Sequence, residues 1–118
     1  MKTDEKIKIF QNVFKGRQDV YPEKWISKKT GKTGFSPACK NKFNENICDL
    51  KCSDCENADY YQLNSRRILS HLEGKVIGIY PLLLDNTTRF AAVDFDGKNG
   101  DPLEDAKKLL AVCEVQKL

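Results

Sequence analysis

The segment that says most about the fold runs Arg89-Phe90-Ala91-Ala92-Val93-Asp94-Phe95-Asp96. Its apolar and small residues predict a β-strand, in which alternate side chains lie on the same face. Asp94 and Asp96 therefore share one face, opposite Val93 and Phe95. Paired carboxylates are hard oxygen ligands that suit Mg²⁺ or Mn²⁺ bridging to substrate phosphates. We predict a divalent-metal site here; the alternative is a strand that ends in a polar turn with solvated acids.

A second apolar run, residues 76–80, precedes this segment and is halted by Pro81. A turn sequence at residues 85–88 separates the two runs, which predicts an antiparallel β-hairpin carrying the two aspartates. Asp101 followed by Pro102 has the form of a helix start, and we expect that helix to lie across the sheet. It reaches the chain end without a stop signal, so the chain is expected to be cut from a longer protein.

Two further helices are predicted upstream. Residues 4–14 have the spacing of an amphipathic helix that Gly16 ends. Asn64 or Ser65 can cap a second helix, which Gly74 stops. With the hairpin, these helices predict an α+β fold.

The composition is that of a globular protein of one domain at most. The 118 residues are 40% hydrophobic and 31% charged, which excludes a disordered chain. No apolar stretch approaches the roughly 20 residues needed to span a bilayer, so no membrane association is expected. The N-terminus leads into no long apolar region, so we expect a cytoplasmic protein without a secretion signal.

Positive charge is concentrated in residues 15–42, which hold eight Lys or Arg against two acids, a net charge of +6. Aromatic residues, among them Tyr21, Trp25 and Phe35, interrupt this basic block. Lysines attract phosphates and aromatic rings stack on bases, so the block predicts nucleic-acid binding; the alternative is a solvated charged face. The candidate contact residues are Lys15, Arg17, Lys24, Trp25, Lys28, Lys29 and Lys32.

Four cysteines lie in residues 16–61, a long segment with little periodicity that we expect to be irregular. They are Cys39, Cys48, Cys52 and Cys55. Long irregular segments are uncommon unless something local orders them, and the last two cysteines form a tight C-x₂-C knuckle that presents two thiolates to one metal. We predict structural Zn²⁺; an iron–sulfur cluster, a disulfide or free thiols are the alternatives. The fifth cysteine, Cys113, is expected in the core on the apolar face of the last helix.

Several segments together resemble one protein family. They are residues 14–21, 25–39, 51–55, 71–74, 78–83 and 91–96. Their order and content resemble the start of the archaeo-eukaryotic primase domain of TOTE conflict systems, mobile-element or defence proteins in which the domain is joined to a helicase. The resemblance covers roughly residues 14–113, and the combination is specific although no single segment is.

This resemblance implies a partial RRM-like core and a primase-polymerase that acts on DNA or RNA with nucleoside triphosphates. The family's first catalytic motif is D-x-D on a strand, which Asp94 and Asp96 match; they would bind two catalytic ions, Mg²⁺ or Mn²⁺. The family's later motifs, a histidine and a further aspartate, have no counterpart downstream, and His71 precedes the D-x-D. The isolated chain is therefore expected not to make primers. Residues 1–61 would be the N-terminal helix and zinc-binding segment, and residues 62–118 the truncated start of the catalytic core.

Two other readings remain open. Residues 93–97 also look like the first motif of haloacid-dehalogenase phosphatases, with Asp94 as nucleophile and Asp96 as general acid, although Lys98 stands where that family usually has Thr or Val. Alternatively, the chain is a non-catalytic zinc module that binds nucleic acid through its basic block.

Overall fold

Three helices and one two-stranded antiparallel sheet form the regular structure, in a computed structural model that describes residues 1–118. In chain order these elements are α1 (Thr3–Val13), β1 (Pro22–Ile26), β2 (Thr33–Pro37), α2 (Ser65–Leu72) and α3 (Pro102–Gln116). The predicted α+β class is confirmed.

Local capping sets the boundaries of α2 and α3. The Asn64 side chain accepts a hydrogen bond from the Arg67 N–H at 3.1 Å, and the Asp101 carboxylate accepts one from the Leu103 N–H at 3.0 Å. Each bond satisfies an amide that the first helical turn leaves without a partner. Gly74 follows α2 with φ +115°, a conformation that glycine adopts without steric cost. These predicted caps and this predicted stop are confirmed.

Gly16 has a different role from the predicted helix stop. Helix α1 already ends at Val13, and Gly16 instead lies against the backbone of Tyr80. A Cβ at this position would lie 2.6 Å from the Tyr80 carbonyl oxygen, so only glycine permits the approach. The next amide, of Arg17, donates to the same carbonyl at 2.9 Å and ties residues 16–17 to residue 80.

The β1–β2 hairpin lies in the segment that we expected to be irregular, and that prediction was wrong. Trp25 pairs with Gly34 across the two strands, and the missing side chain of Gly34 makes room for the indole ring. The connecting loop, residues 27–32, closes through a 2.8 Å bond from the Ser27 amide to the Lys32 carbonyl. Register and loop closure are cross-strand properties, so weak periodicity within either strand did not reveal them.

The predicted hairpin of residues 76–80 and 89–96 does not form. Residues 76–78 instead pair with β1: the Lys24 amide donates to the Val76 carbonyl at 3.1 Å, and the Gly78 amide donates to the Pro22 carbonyl at 2.8 Å. Strand β1 thus supplies the backbone hydrogen bonds of residues 76–78, and no backbone hydrogen bond joins residues 89–96 to another segment. The sheet is therefore built at the N-terminal hairpin, and the two aspartates lie outside it.

A small core joins the hairpin to the first two helices. Its six residues are Ile7, Tyr21, Ala38, Leu63, Ile68 and Ile77. They come from both of the segments predicted as 1–61 and 62–118. Burying a leucine or isoleucine side chain contributes roughly 1.5–3 kcal/mol, so this cluster holds α1 and α2 against the residues that flank the hairpin.

Helix α3 lies outside that core and contains no buried residue. Its apolar side chains are exposed, including Leu110 at 64%, and Cys113 is only half-buried. The core position predicted for Cys113 is therefore wrong, because the helix packs on no other element of this chain. No helix here combines the length and the apolar character that crossing a membrane requires.

Candidate functional site

Asp94 and Asp96 lie on an exposed segment without regular structure. The segment is anchored at Phe90, whose ring meets that of Phe14 edge to face at 6.0 Å. Beyond this contact both carboxylates are exposed to solvent, and Val93 between them is 60% exposed. The pair is thus accessible to ions and ligands but is not held on a strand face.

Asp96 is bound by the residue two positions later. Its carboxylate accepts the Lys98 amide at 3.1 Å and lies 3.0 Å from the Lys98 ammonium. Gly97, with φ +71°, makes the turn between them possible. Both hydrogen bonds from Lys98, the backbone one first, lower the pKa of Asp96 below its ordinary value, so this carboxylate is an anion at neutral pH.

The donor set suits a magnesium or manganese ion that is completed by a substrate. Mg²⁺ is commonly bound through one or two carboxylates together with substrate phosphates and water. Asp94 and Asp96 supply those two carboxylates, and Asp94 has no hydrogen bond or ion pair within the chain. No cluster of three or more His, Cys, Asp or Glu side chains is arranged here to hold a metal unaided. The predicted metal site remains a prediction.

The four clustered cysteines all line one cavity of about 570 Å³ between the hairpin and residues 39–60. All are free and half-buried. Burial, followed by the charges of Cys48, Cys55 and Cys39, raises the pKa of the Cys52 thiol. Neighbouring thiolates repel one another, and a cation bound between them would offset that repulsion and favour the ionised form. The fold therefore brings the four predicted ligands to one place, although not in a coordination geometry, and the zinc knuckle remains a prediction.

The basic block keeps most of its charge free. Arg17 is held by Asp19, with its Nε at 2.9 Å and Nη2 at 2.6 Å from the two carboxylate oxygens, and Lys40 lies 2.9 Å from Asp59. The other cations of residues 15–42 form no ion pair: Lys15, Lys24, Lys28, Lys29, Lys32 and Lys42. Of the candidate nucleic-acid residues, only Arg17 is neutralised by a neighbour.

The hairpin loop, residues 27–32, presents Lys28, Lys29 and Lys32 together at the end of the sheet. Trp25 lies on β1 beside this loop and is 37% exposed, whereas Tyr21 is fully buried. Tyr21 therefore cannot stack on a base, although it was predicted to be one of the aromatic residues that help the basic block bind nucleic acid. Its hydroxyl is buried without a hydrogen-bond partner.

Comparison with known protein families gives a match over almost the whole chain. Residues 5–118 match the family described as the archaeo-eukaryotic primase domain of TOTE conflict systems. The chain belongs to this family. No curated protein and no solved structure matches it.

Membership of the archaeo-eukaryotic primase family supports a primase-like nucleotidyltransferase module. The matched region includes Asp94 and Asp96, and it leaves the phosphatase reading without support. Within this primase-family chain, sequence reasoning missed the cavity residues Phe43, Leu50 and Tyr60. Phe43 follows Lys40 and Lys42, so the alternation of basic and aromatic residues extended further than the block we identified.

Proposed function

We propose that this chain is the N-terminal part of a primase-polymerase, which binds nucleic acid and supplies the first metal-binding D-x-D motif. The family match over residues 5–118 carries the proposal. Asp94 and Asp96 would hold Mg²⁺ or Mn²⁺, which when bound supplies charge stabilisation to the transferring nucleotide. Their exposure allows a nucleoside triphosphate to complete the coordination.

Nucleic-acid binding would fall to the hairpin loop. Lys28, Lys29 and Lys32 are exposed, lack acidic partners and lie on a loop of six residues closed by its own backbone bonds. A cluster of three cations attracts a phosphate backbone without reading its sequence. The partners of the parent protein would then be DNA or RNA, nucleoside triphosphates and a joined helicase.

Structural zinc would order the segment that faces this loop. Zinc bound by Cys39, Cys48, Cys52 and Cys55 would draw together residues that are otherwise joined by few buried contacts. The purified chain should hold about one zinc, and a strong chelator should unfold residues 39–60 first. Cys48→Ser should lose the metal, whereas Cys113→Ser should retain it. Absence of zinc and iron from protein purified in reducing buffer would contradict this assignment.

Primer extension by the chain joined to its downstream sequence tests the catalytic part. The wild-type protein should polymerise nucleotides, while residues 1–118 alone should only bind Mn²⁺ weakly. Asp94→Asn or Asp96→Asn should reduce extension by several orders of magnitude, because misplacement of about 1 Å already costs about a hundredfold. Asp85→Asn removes another exposed carboxylate, from the turn that precedes this segment, and should leave extension unchanged. Extension that survives both substitutions would end the catalytic assignment.

Salt dependence tests the nucleic-acid part. Affinity for single strands should fall steeply with salt, and reversing Lys28, Lys29 and Lys32 to Glu should weaken binding of every sequence. Reversing three lysines of α3 and its end, Lys107, Lys108 and Lys117, makes the same change in net charge elsewhere and should have less effect. If the two triple variants weaken binding equally, nucleic-acid binding would reflect only the net charge of the chain and not a site on the hairpin loop.

A non-catalytic zinc module is the second candidate function. The basic hairpin is tied to the core and the cysteine segment faces it, whereas Asp94 and Asp96 lie outside that body. Zinc and nucleic-acid binding without extension by the longer protein would favour this module. Hydrolysis of a phosphate ester by the isolated chain would instead support the phosphatase alternative.

A further inference from the structure

Besides the four cysteines, the cavity between the hairpin and the cysteine segment is lined by side chains to which the proposed function gives no role. Its volume, about 570 Å³, falls within the range of small-ligand sites. The wall is largely apolar and aromatic, with Trp25 and Ile26 on the hairpin side and Phe43, Leu50 and Tyr60 on the other. Two of these side chains are largely exposed, Phe43 at 69% and Leu50 at 62%.

Two of these wall residues have a backbone that their side chains disfavour. Phe43 has φ 65° and Leu50 has φ 64°, the left-handed region that bulky residues rarely occupy. Glycine or asparagine would adopt it more readily, and neither apolar side chain is buried in return. Disfavoured conformations of this kind concentrate at ligand sites. The observation indicates that the two side chains are placed for an occupant rather than for the core.

The net positive charge of the cavity lining favours an anionic occupant. Three lysines line it, Lys28, Lys42 and Lys51, against one acid, Asp49. Lys42 donates to the Ser36 hydroxyl at 2.8 Å and lies 5.2 Å from the centre of the Phe43 ring, so a cation is fixed beside an aromatic wall. Lys28 also belongs to the hairpin loop, so the cavity opens beside the proposed phosphate track.

We propose that this cavity receives one unstacked base of a single nucleic-acid strand whose phosphates lie on Lys28, Lys42 and Lys51. This inference rests on the proposed nucleic-acid binding and adds the contact that distinguishes a strand with bases from a bare phosphate chain. The base is held by contact with the aromatic and apolar wall, so base identity has little effect. Lys42 and Phe43 act together, because the cation meets a phosphate while the ring meets the base.

The experiment compares two strands of equal charge. Zinc-loaded chain is titrated, at about 50 mM salt, with labelled oligothymidylate of about twelve nucleotides and with an abasic strand of the same length. The strand with bases should bind about tenfold more tightly, since one stacked base contributes about 1–3 kcal/mol. It should also quench the emission of Trp25, the one tryptophan of the chain, whereas the abasic strand should not.

Phe43→Asn is the decisive variant, because asparagine tolerates the left-handed backbone and folding is preserved. It should leave the melting temperature unchanged or higher, while reducing the preference for bases to less than about threefold. Leu84→Asn is the control: Leu84 is also exposed, at 78%, lies outside the basic block and does not line the cavity. This variant should retain the full preference.

The outcomes separate the two proposals. In one outcome the two strands bind with equal affinity, and binding of both still weakens when Lys28, Lys29 and Lys32 are reversed to Glu. That outcome would overturn the base site alone, and an apolar peptide of a partner protein would become the candidate occupant of the cavity. A preference for bases that survives Phe43→Asn would also overturn it. Failure to bind either strand would overturn the nucleic-acid function and the base site together.

Discussion

At the scale of single residues, Lys98 would compete with a bound metal ion for Asp96. The ammonium lies 3.0 Å from the carboxylate, and the two side chains are 81% and 55% exposed. Water screens an exposed ion pair of this kind, so the pair contributes little to stability. A divalent ion with two carboxylate ligands can therefore displace the lysine at small cost.

Lys98→Ala should accordingly raise the Mn²⁺ affinity of the chain, by about threefold or less. Titration followed by the paramagnetic relaxation of water protons measures that affinity directly. Lys107→Ala removes a lysine that is also ion-paired, to Glu104, and serves as the control. A fall in Mn²⁺ affinity on removing Lys98 would contradict this competition.

Arg17 and Asp19 give a pH-dependent contribution to stability. The hydrogen bond from Arg17 lowers the pKa of Asp19 below its usual 3.8, against the smaller opposing effect of burial. A carboxyl whose pKa is depressed on folding stabilises the protein above its unfolded pKa, and that contribution is lost as pH falls through the folded pKa. Both side chains are partly exposed, so the contribution is below about 1 kcal/mol.

The difference in free energy of unfolding between the wild type and Asp19→Asn should therefore be largest near neutral pH and should vanish in acid below the ordinary carboxyl pKa. Urea denaturation at a series of pH values measures it. Arg17→Gln should remove the same pH-dependent part, and the double variant should add little to either single change. A difference that grows as the pH falls would contradict the assignment.

At the scale of elements, α2 and α3 differ in how much they contribute to stability. Helix α2 buries Ile68, which is 2% exposed, in the core that it shares with α1 and with the residues flanking the hairpin. Helix α3 has a good cap and a proline at its start, yet it buries no side chain. Capping can define where a helix begins, but most helical stability in proteins comes from packing an apolar face.

Ile68→Ala should thus lower the free energy of unfolding by about 2–5 kcal/mol. Leu110→Ser, on α3, should change it by less than about 0.5 kcal/mol, because that side chain is already exposed. Chemical denaturation followed by circular dichroism compares the two. Similar losses from the two substitutions would mean that α3 packs on the body of the chain in solution.

At the scale of the whole molecule, the chain is extended for its length. Its radius of gyration is 17.6 Å, whereas a compact chain of 118 residues would have about 13–14 Å. Only 8 of 118 residues are buried, and the core residues all lie between positions 7 and 77. Protection from solvent should therefore differ sharply along the chain.

Amide hydrogen exchange should show this division. Residues 88–100 should exchange at nearly the rate of an unfolded chain, since no backbone–backbone hydrogen bond involves them and only the Lys98 amide is bonded, to the exposed Asp96 side chain. Strand β1 and helix α2 should be protected. Zinc should add protection to residues 39–60 and leave residues 88–100 unchanged. Protection of residues 89–96 equal to that of β1 would instead support the hairpin that the sequence predicted.

The sequence by itself determined the features that depend on neighbouring residues. The caps at Asn64 and Asp101, the stop at Gly74, the α+β class and the family follow from short-range patterns, because a cap or a motif is completed within a few residues. The tertiary structure alone decided which strands pair. Residues 76–78 satisfy their backbone bonds on β1, so the segment of Asp94 and Asp96 has no partner. It also decided that Cys39 and Cys55 share a cavity with Phe43, because strand pairing and cavity formation depend on residues distant in the chain that no local pattern encodes.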